Sequence, residues 1–101
     1  MNILFDVDET LSILDNEEDI PVNELCDLIE TLSWQGHTVY VASGGGVDYA
    51  TRRCEFLRIE EYVTVVPKDP EIIRKLGIDI SFDDQETRFG KVNCKVSVRL
   101  V

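Results

Sequence analysis

The stretch "ILFDVDETL", residues 3–11, sets Asp6, Asp8 and Glu9 directly against the apolar residues Ile3, Leu4, Phe5 and Val7. Carboxylates beside a buried segment are costly unless something pairs with them, so distant parts of the chain are expected to supply partners. Residues 2–7 form a near-continuous apolar run, the pattern of a strand covered on both faces. Such strands belong to parallel sheets, in which helical crossovers shield both sides.

The sequence beyond this run alternates between strand-like and helix-like segments. Residues 12–20, "SILDNEEDI", are polar and acidic and read as a loop or small flap. A helix is predicted over residues 21–35, with Val22, Leu25, Cys26, Ile29 and Leu32 at helical spacing, Pro21 in the first turn and Gly36 as the stop. "HTVYVA", residues 37–42, is rich in β-branched and aromatic side chains and reads as a second strand. Ser43-Gly44-Gly45-Gly46 opens a second helix, which carries Val47, Ala50, Cys54 and Leu57 on one face. Residues 62–66 form a third strand stopped by Pro67. Asp69-Pro70-Glu71 starts a short helix that Leu76-Gly77 closes. Residues 78–82 and 95–100 read as a fourth and a fifth strand, with the connection over 84–94 undefined. The alternation predicts one α/β domain over residues 1–101, a three-layer α/β/α Rossmann-like sandwich around a mostly parallel sheet of about five strands.

The totals narrow the function classes. With 101 residues there is room for one core. A net charge of −10 with ten scattered Lys and Arg speaks against extended nucleic-acid binding, which needs a clustered basic face. No apolar run approaches the roughly 18 residues of a membrane span. Met1 leads straight into the first apolar run, which leaves no space for a signal peptide. The three cysteines, Cys26, Cys54 and Cys94, follow no CxxC pattern and read as small hydrophobes in a reducing, cytoplasmic setting.

Right-handed crossovers put the strand-to-helix loops of such a fold on one edge, where ligands bind. The polar residues at that edge are Asp6 and Asp8 after the first strand, Ser43 with its glycines after the second, Lys68 after the third, and Asp83-Asp84 after the fourth. Each has a plainer reading. Asp6, Asp8 and Asp83-Asp84 could be polar turns, the glycines a flexible loop, and Arg74 or Lys75 could serve in place of Lys68. His37 reads as a surface residue, Trp34 as packing at a helix end, and residues 16–19 as a solvated acidic run.

The order of these groups resembles the haloacid dehalogenase-like superfamily of phosphohydrolases across nearly the whole chain. "FDVDETL" matches an apolar strand followed by Asp-x-Asp-x-Thr, "VYVASGGG" a strand ending in Ser or Thr, and "ISFDDQ" an apolar strand ending in acidic residues. "PKDPEIIRKLGI" resembles the Lys-Pro-x-Pro form, with Asp69 in place of the first proline. The resemblance implies a Mg²⁺-dependent phosphoric monoester hydrolase working through an aspartyl phosphate. Asp6 would be the nucleophile, Asp8 the general acid/base, and Lys68 the group that screens charge between nucleophile and phosphate. Ser43, Gly44, Gly45 and Lys68 would bind phosphate. Asp6, the backbone carbonyl of Asp8, Asp83 and Asp84 would hold Mg²⁺.

Many members of that superfamily carry an inserted cap domain, and the short spacings here leave no room for one. An open site suits a large phosphorylated substrate, or one covered by a neighbouring subunit in a homo-oligomer. Two alternatives use the same residues: a non-catalytic binding module of the same fold, and a phosphoacceptor domain of the response-regulator type. In the latter the acidic pair comes first in the chain and the lysine last, the reverse of the order here.

Overall fold

The computed structural model describes residues 1–83 and 94–99. Along the chain these form β1 (Asn2–Asp6), β2 (Ser12–Asp15), β3 (Glu18–Pro21), α1 (Asn23–Trp34), β4 (Thr38–Ala42), α2 (Val47–Leu57), β5 (Thr64–Val65), α3 (Pro70–Leu76), β6 (Ile78–Asp83) and β7 (Cys94–Arg99). Five of the strands make one sheet in the order β5-β4-β1-β6-β7, and every neighbouring pair in it is parallel. Numbered by their place in the chain, the sheet strands run 3-2-1-4-5.

The alternation along β1 explains the layering. Ile3 and Phe5 join a core with Val39 and Val41 of β4, Ile29 of α1, and Ala50, Cys54 and Leu57 of α2. Leu4 faces the other way, into a second core with Ala42, Val66, Ile78 and Ile73 of α3. Successive side chains of a strand point to opposite faces, so α1 and α2 cover one face and α3 the other. The chain steps outward from β1 to β4 to β5 with its helices on one side. It then returns across the sheet to place β6 on the far side of β1, which, at constant crossover hand, moves the connecting helix to the opposite face. The switch point therefore lies between β1 and β6, and their carboxyl ends frame the crevice.

Residues 12–21 form an antiparallel hairpin, which agrees with the small flap rather than the loop of the two readings. Asn16 and Glu17 turn it with φ of 49° and 65°, the left-handed pair of a two-residue type I′ turn. Pro21 pairs with Ser12 as the last residue of β3, and the Val22 amide donates to the Leu11 carbonyl at 2.8 Å. That pairing keeps the segment extended, so α1 starts at Asn23, two residues later than the sequence predicts. The strand predicted over 62–66 reduces to the two residues of β5, although the Val66 amide still reaches the Val41 carbonyl at 2.9 Å. The fifth strand is present as β7; Leu100 and the connection over 84–93 lie outside the described residues.

α3 follows its sequence signals closely. Asp69 accepts hydrogen bonds from the amides of Glu71 and Ile72, Pro70 opens the first turn, and Gly77 ends the helix at φ 65°. Trp34 does not pack at the end of α1: it is 76% exposed, because the core-facing stripe of α1 runs through Leu25, Leu28, Ile29 and Leu32 and the last helical residue falls off it. Cys26 and Cys54 carry free thiols. Burial, with help from Glu60, pushes the Cys54 thiol up to about 11. Among the described residues no helix is long and apolar enough to cross a membrane.

Phe5 is fully buried and stacks on Phe82 with ring centroids 4.6 Å apart. Phe5→Ala is expected to cost about 3–5 kcal/mol of unfolding free energy, the usual loss for an aromatic cavity in a packed core. Leu14→Ala, at an exposed position of β2 in the hairpin, should change stability by less than about 0.5 kcal/mol. Urea titrations of the two variants check the contrast.

Candidate functional site

The register between β1 and β6 aligns Phe5 with Phe82, so the next residues, Asp6 and Asp83, end the two strands side by side. Both are nearly buried, at 8% and 4% exposure. Asp6 alternates to the face opposite Phe5, the face that α3 covers. Lys68 comes from the loop leading into α3, held between Val66, which is hydrogen-bonded to β4, and the Asp69 cap. Its ammonium donates to Asp6 Oδ1 at 2.9 Å and to Asp83 Oδ2 at 3.1 Å. Three predicted residues from three separate segments thus meet in one cluster.

The electrostatics follow from that contact. Burial alone would lower the Lys68 pKa, but the hydrogen bonds and charges of Asp6 and Asp83 outweigh it and leave it above its ordinary 10.5. A raised folded-state value means the stabilisation is fully present below 10.5 and is lost only as pH rises through the folded value. The cluster therefore keeps its cation throughout the neutral range.

The phosphate-binding residues predicted from the sequence sit next door, after β4. Ala42 aligns with Asp6 across the β1–β4 pair, so Ser43 lies one residue beyond the level of Asp6. Ser43 is buried. Its Oγ accepts from the Gly45 amide at 3.1 Å, which leaves its own hydrogen to donate. Gly46 precedes α2 with φ of 100° and ψ of 171°, a conformation that only glycine adopts readily. Gly45 is required for another reason: a Cβ there would lie 2.7 Å from Cδ2 of the Tyr49 ring. Nothing crowds Gly44.

Asp8 is placed differently. The chain leaves β1, and the amides of Thr10, Leu11 and Ser12 all turn back to the Val7 carbonyl, with Glu9 at φ 59°. Asp8 is exposed, and its Oδ1 accepts a 2.5 Å hydrogen bond from the Tyr49 hydroxyl. The structure pairs Asp8 with α2, whereas Asp6 pairs with Lys68. Asp84 lies outside the described residues. Arg74 and Lys75 belong to the last turn of α3, and of these three cations it is Lys68 that reaches the carboxylates. His37 bonds the Met1 amine through Nδ1 at 2.8 Å, at the opposite, amino-terminal edge of the sheet.

Sequence reasoning missed two residues, Tyr49 and Arg53, which share a face of α2 at i, i+4 spacing. Arg53 Nη2 donates to Ser12 Oγ at 3.1 Å, its Nη1 pairs with Asp19 at 3.4 Å, and its guanidinium lies over the Phe56 ring. The available signal was an aromatic residue and a basic residue one helical turn apart, just after the glycine triplet.

Among the described residues no three His, Cys, Asp or Glu side chains gather as a metal-binding group. Asp6 and Asp83 do present two carboxylates, and Mg²⁺ is usually held by one or two carboxylates together with waters and phosphate oxygens. The donor set fits such an ion. No protein-family model, curated protein or solved structure matches the chain.

Lys68→Met should leave two adjacent buried carboxylates with no ammonium between them and cost about 3–5 kcal/mol, as breaking a buried ion pair does. Adding Asp6→Asn to that variant is expected to restore part of the loss, because it removes one of two adjacent like charges. Chemical denaturation of the single and double variants gives the coupling. Equal stability of the two variants would show that the charges do not oppose each other.

Proposed function

We propose that the chain is a Mg²⁺-dependent phosphomonoesterase of the haloacid dehalogenase-like type, with no cap domain, acting through an aspartyl phosphate. The observation that carries this reading is the single ammonium of Lys68 shared by Asp6 and Asp83 at the switch point of a parallel sheet. A carboxylate nucleophile must meet an anionic phosphate, and that encounter needs positive charge held in place beforehand. Lys68 supplies it at the nucleophile itself.

In the proposed reaction a carboxylate oxygen of Asp6 attacks phosphorus while the bond to the substrate's leaving oxygen breaks. Asp8 gives that oxygen its proton. Water then attacks the aspartyl phosphate, Asp8 takes a proton from it, and inorganic phosphate departs with Asp6 regenerated. Ser43 donates its hydroxyl to a phosphate oxygen, and the Gly44–Gly45 backbone approaches the same group at the start of α2. Asp6, the Asp8 carbonyl, Asp83 and Asp84 are the residues that would hold Mg²⁺. The ion would supply charge neutralisation for the phosphate dianion.

The strand order supports this reading over a response-regulator-type phosphoacceptor, whose flavodoxin-like sheet runs 2-1-3-4-5 rather than 3-2-1-4-5. The short hairpin of residues 12–21 is the one element between β1 and α1, which suits an open site and a large phosphorylated substrate.

Hydrolysis of p-nitrophenyl phosphate tests the proposal. Many phosphates should be released per protein, release should stop on chelation with EDTA and return with added Mg²⁺, and Asp6→Asn should lower kcat by about three orders of magnitude or more, on the scale of losing a nucleophile. A wild-type chain without turnover, or an Asp6→Asn chain that keeps it, overturns the reading.

A further inference from the structure

We propose that Tyr49 is the positioning residue for Asp8, holding its carboxylate by one oxygen so that the other addresses the leaving group; the inference rests on the phosphatase reading above. Asp8 and Glu9 are the exposed residues of an otherwise buried turn after β1, and an acid/base group there needs a fixed direction as well as a suitable position. The structure fixes Asp8 at two points, its backbone and one carboxylate oxygen. Its backbone forms an isolated bridge with Ser12. Ser12 is itself tied down, its carbonyl by the Glu9 amide at 2.8 Å and its hydroxyl by Arg53. The carboxylate is tied separately, through Oδ1, to the Tyr49 hydroxyl.

Tyr49 is in turn seated against the phosphate-binding turn. Its ring occupies the space that a side chain at Gly45 would need, and Gly45 donates to Ser43 Oγ. The ring therefore links the Ser43–Gly45 turn to Asp8 across α2. This gives the second glycine of the triplet a reason beyond backbone freedom: Gly45 makes room for the residue that orients the acid.

With Oδ1 engaged by Tyr49, the transferable proton belongs on Asp8 Oδ2. In the first step that proton passes to the leaving oxygen as its bond to phosphorus breaks and the Asp6–phosphorus bond forms. In the second step the same oxygen takes a proton from the attacking water. Tyr49 keeps its own proton in both steps.

The experiment compares two substrates that differ in their need for an acid. p-Nitrophenolate leaves without much help, whereas an alkoxide requires protonation. Tyr49→Phe keeps the ring against Gly45 and removes only the hydroxyl. Its kcat/KM is expected to fall about tenfold more with an alkyl phosphate than with p-nitrophenyl phosphate, as loss of oriented general acid catalysis requires. In an Asp8→Asn background the same substitution should add no further leaving-group dependence. Equal losses on both substrates, or an undiminished Tyr49→Phe effect in the Asp8→Asn chain, overturn the positioning role and leave the phosphatase reading standing. Wild-type failure on both substrates overturns the two together. Thermal melting of Tyr49→Phe at the wild-type temperature confirms that the comparison reports positioning rather than unfolding.

Discussion

One ammonium group, that of Lys68, makes the carboxyl edge of the sheet possible. Two carboxylates about 4 Å apart repel by roughly 4 kcal/mol at an effective dielectric of 20, and each also loses hydration when buried. Asp6 and Asp83 end adjacent strands and are both buried, so the fold brings together charges that would otherwise resist assembly. Lys68 answers both by hydrogen-bonding one oxygen of each. The contact is therefore structural and chemical at once. It braces β1, β6 and the loop into α3, and it leaves a positively charged point beside a carboxylate.

That arrangement depends on apolar packing one residue deeper. The Phe5–Phe82 stack fixes the register of β1 against β6, and a slip of one residue would turn Asp6 toward the core shared with α1 and α2. The two faces of the sheet then divide the work. The α3 face brings Lys68, set by the Asp69 cap and Pro70. The opposite face brings α2, whose Tyr49 and Arg53 reach the turn after β1 and the root of the hairpin. Because the switch point opens between β1 and β6, groups from both layers arrive at one edge.

Much of this was legible because it is local. The β1 run, the Asp69-Pro70 start and Gly77 stop of α3, and the acidic end of β6 are each written in a few consecutive residues. That Asp6, Asp83 and the loop carrying Lys68 share the carboxyl edge of the sheet followed from strand–helix alternation and crossover handedness. The hairpin was obscured because its Asn16-Glu17 turn lacks the glycine that usually marks a type I′ turn, and its strands are acidic. The true start of α1 was obscured because Pro21, a good first-turn residue, is used instead to finish an edge strand. The Tyr49 and Arg53 contacts depend on how α2 docks against a turn some forty residues away, and no local pattern encodes that.

The separation of Asp6 from Asp8 is the most informative of these differences. Two positions apart in an extended segment, they are expected to share a face and a set of partners. The bend at residues 7–9 breaks that equivalence. Asp6 lies buried against the ammonium of Lys68. Asp8 lies at the surface, where its Oδ1 accepts from the Tyr49 hydroxyl. Enzymes that run acid and nucleophile chemistry on one pair of carboxylates do so by giving the two groups unlike surroundings. The turn after β1 gives Asp6 and Asp8 unlike surroundings, and this contrast is what supports the proposal that Asp6 serves as nucleophile and Asp8 as proton carrier.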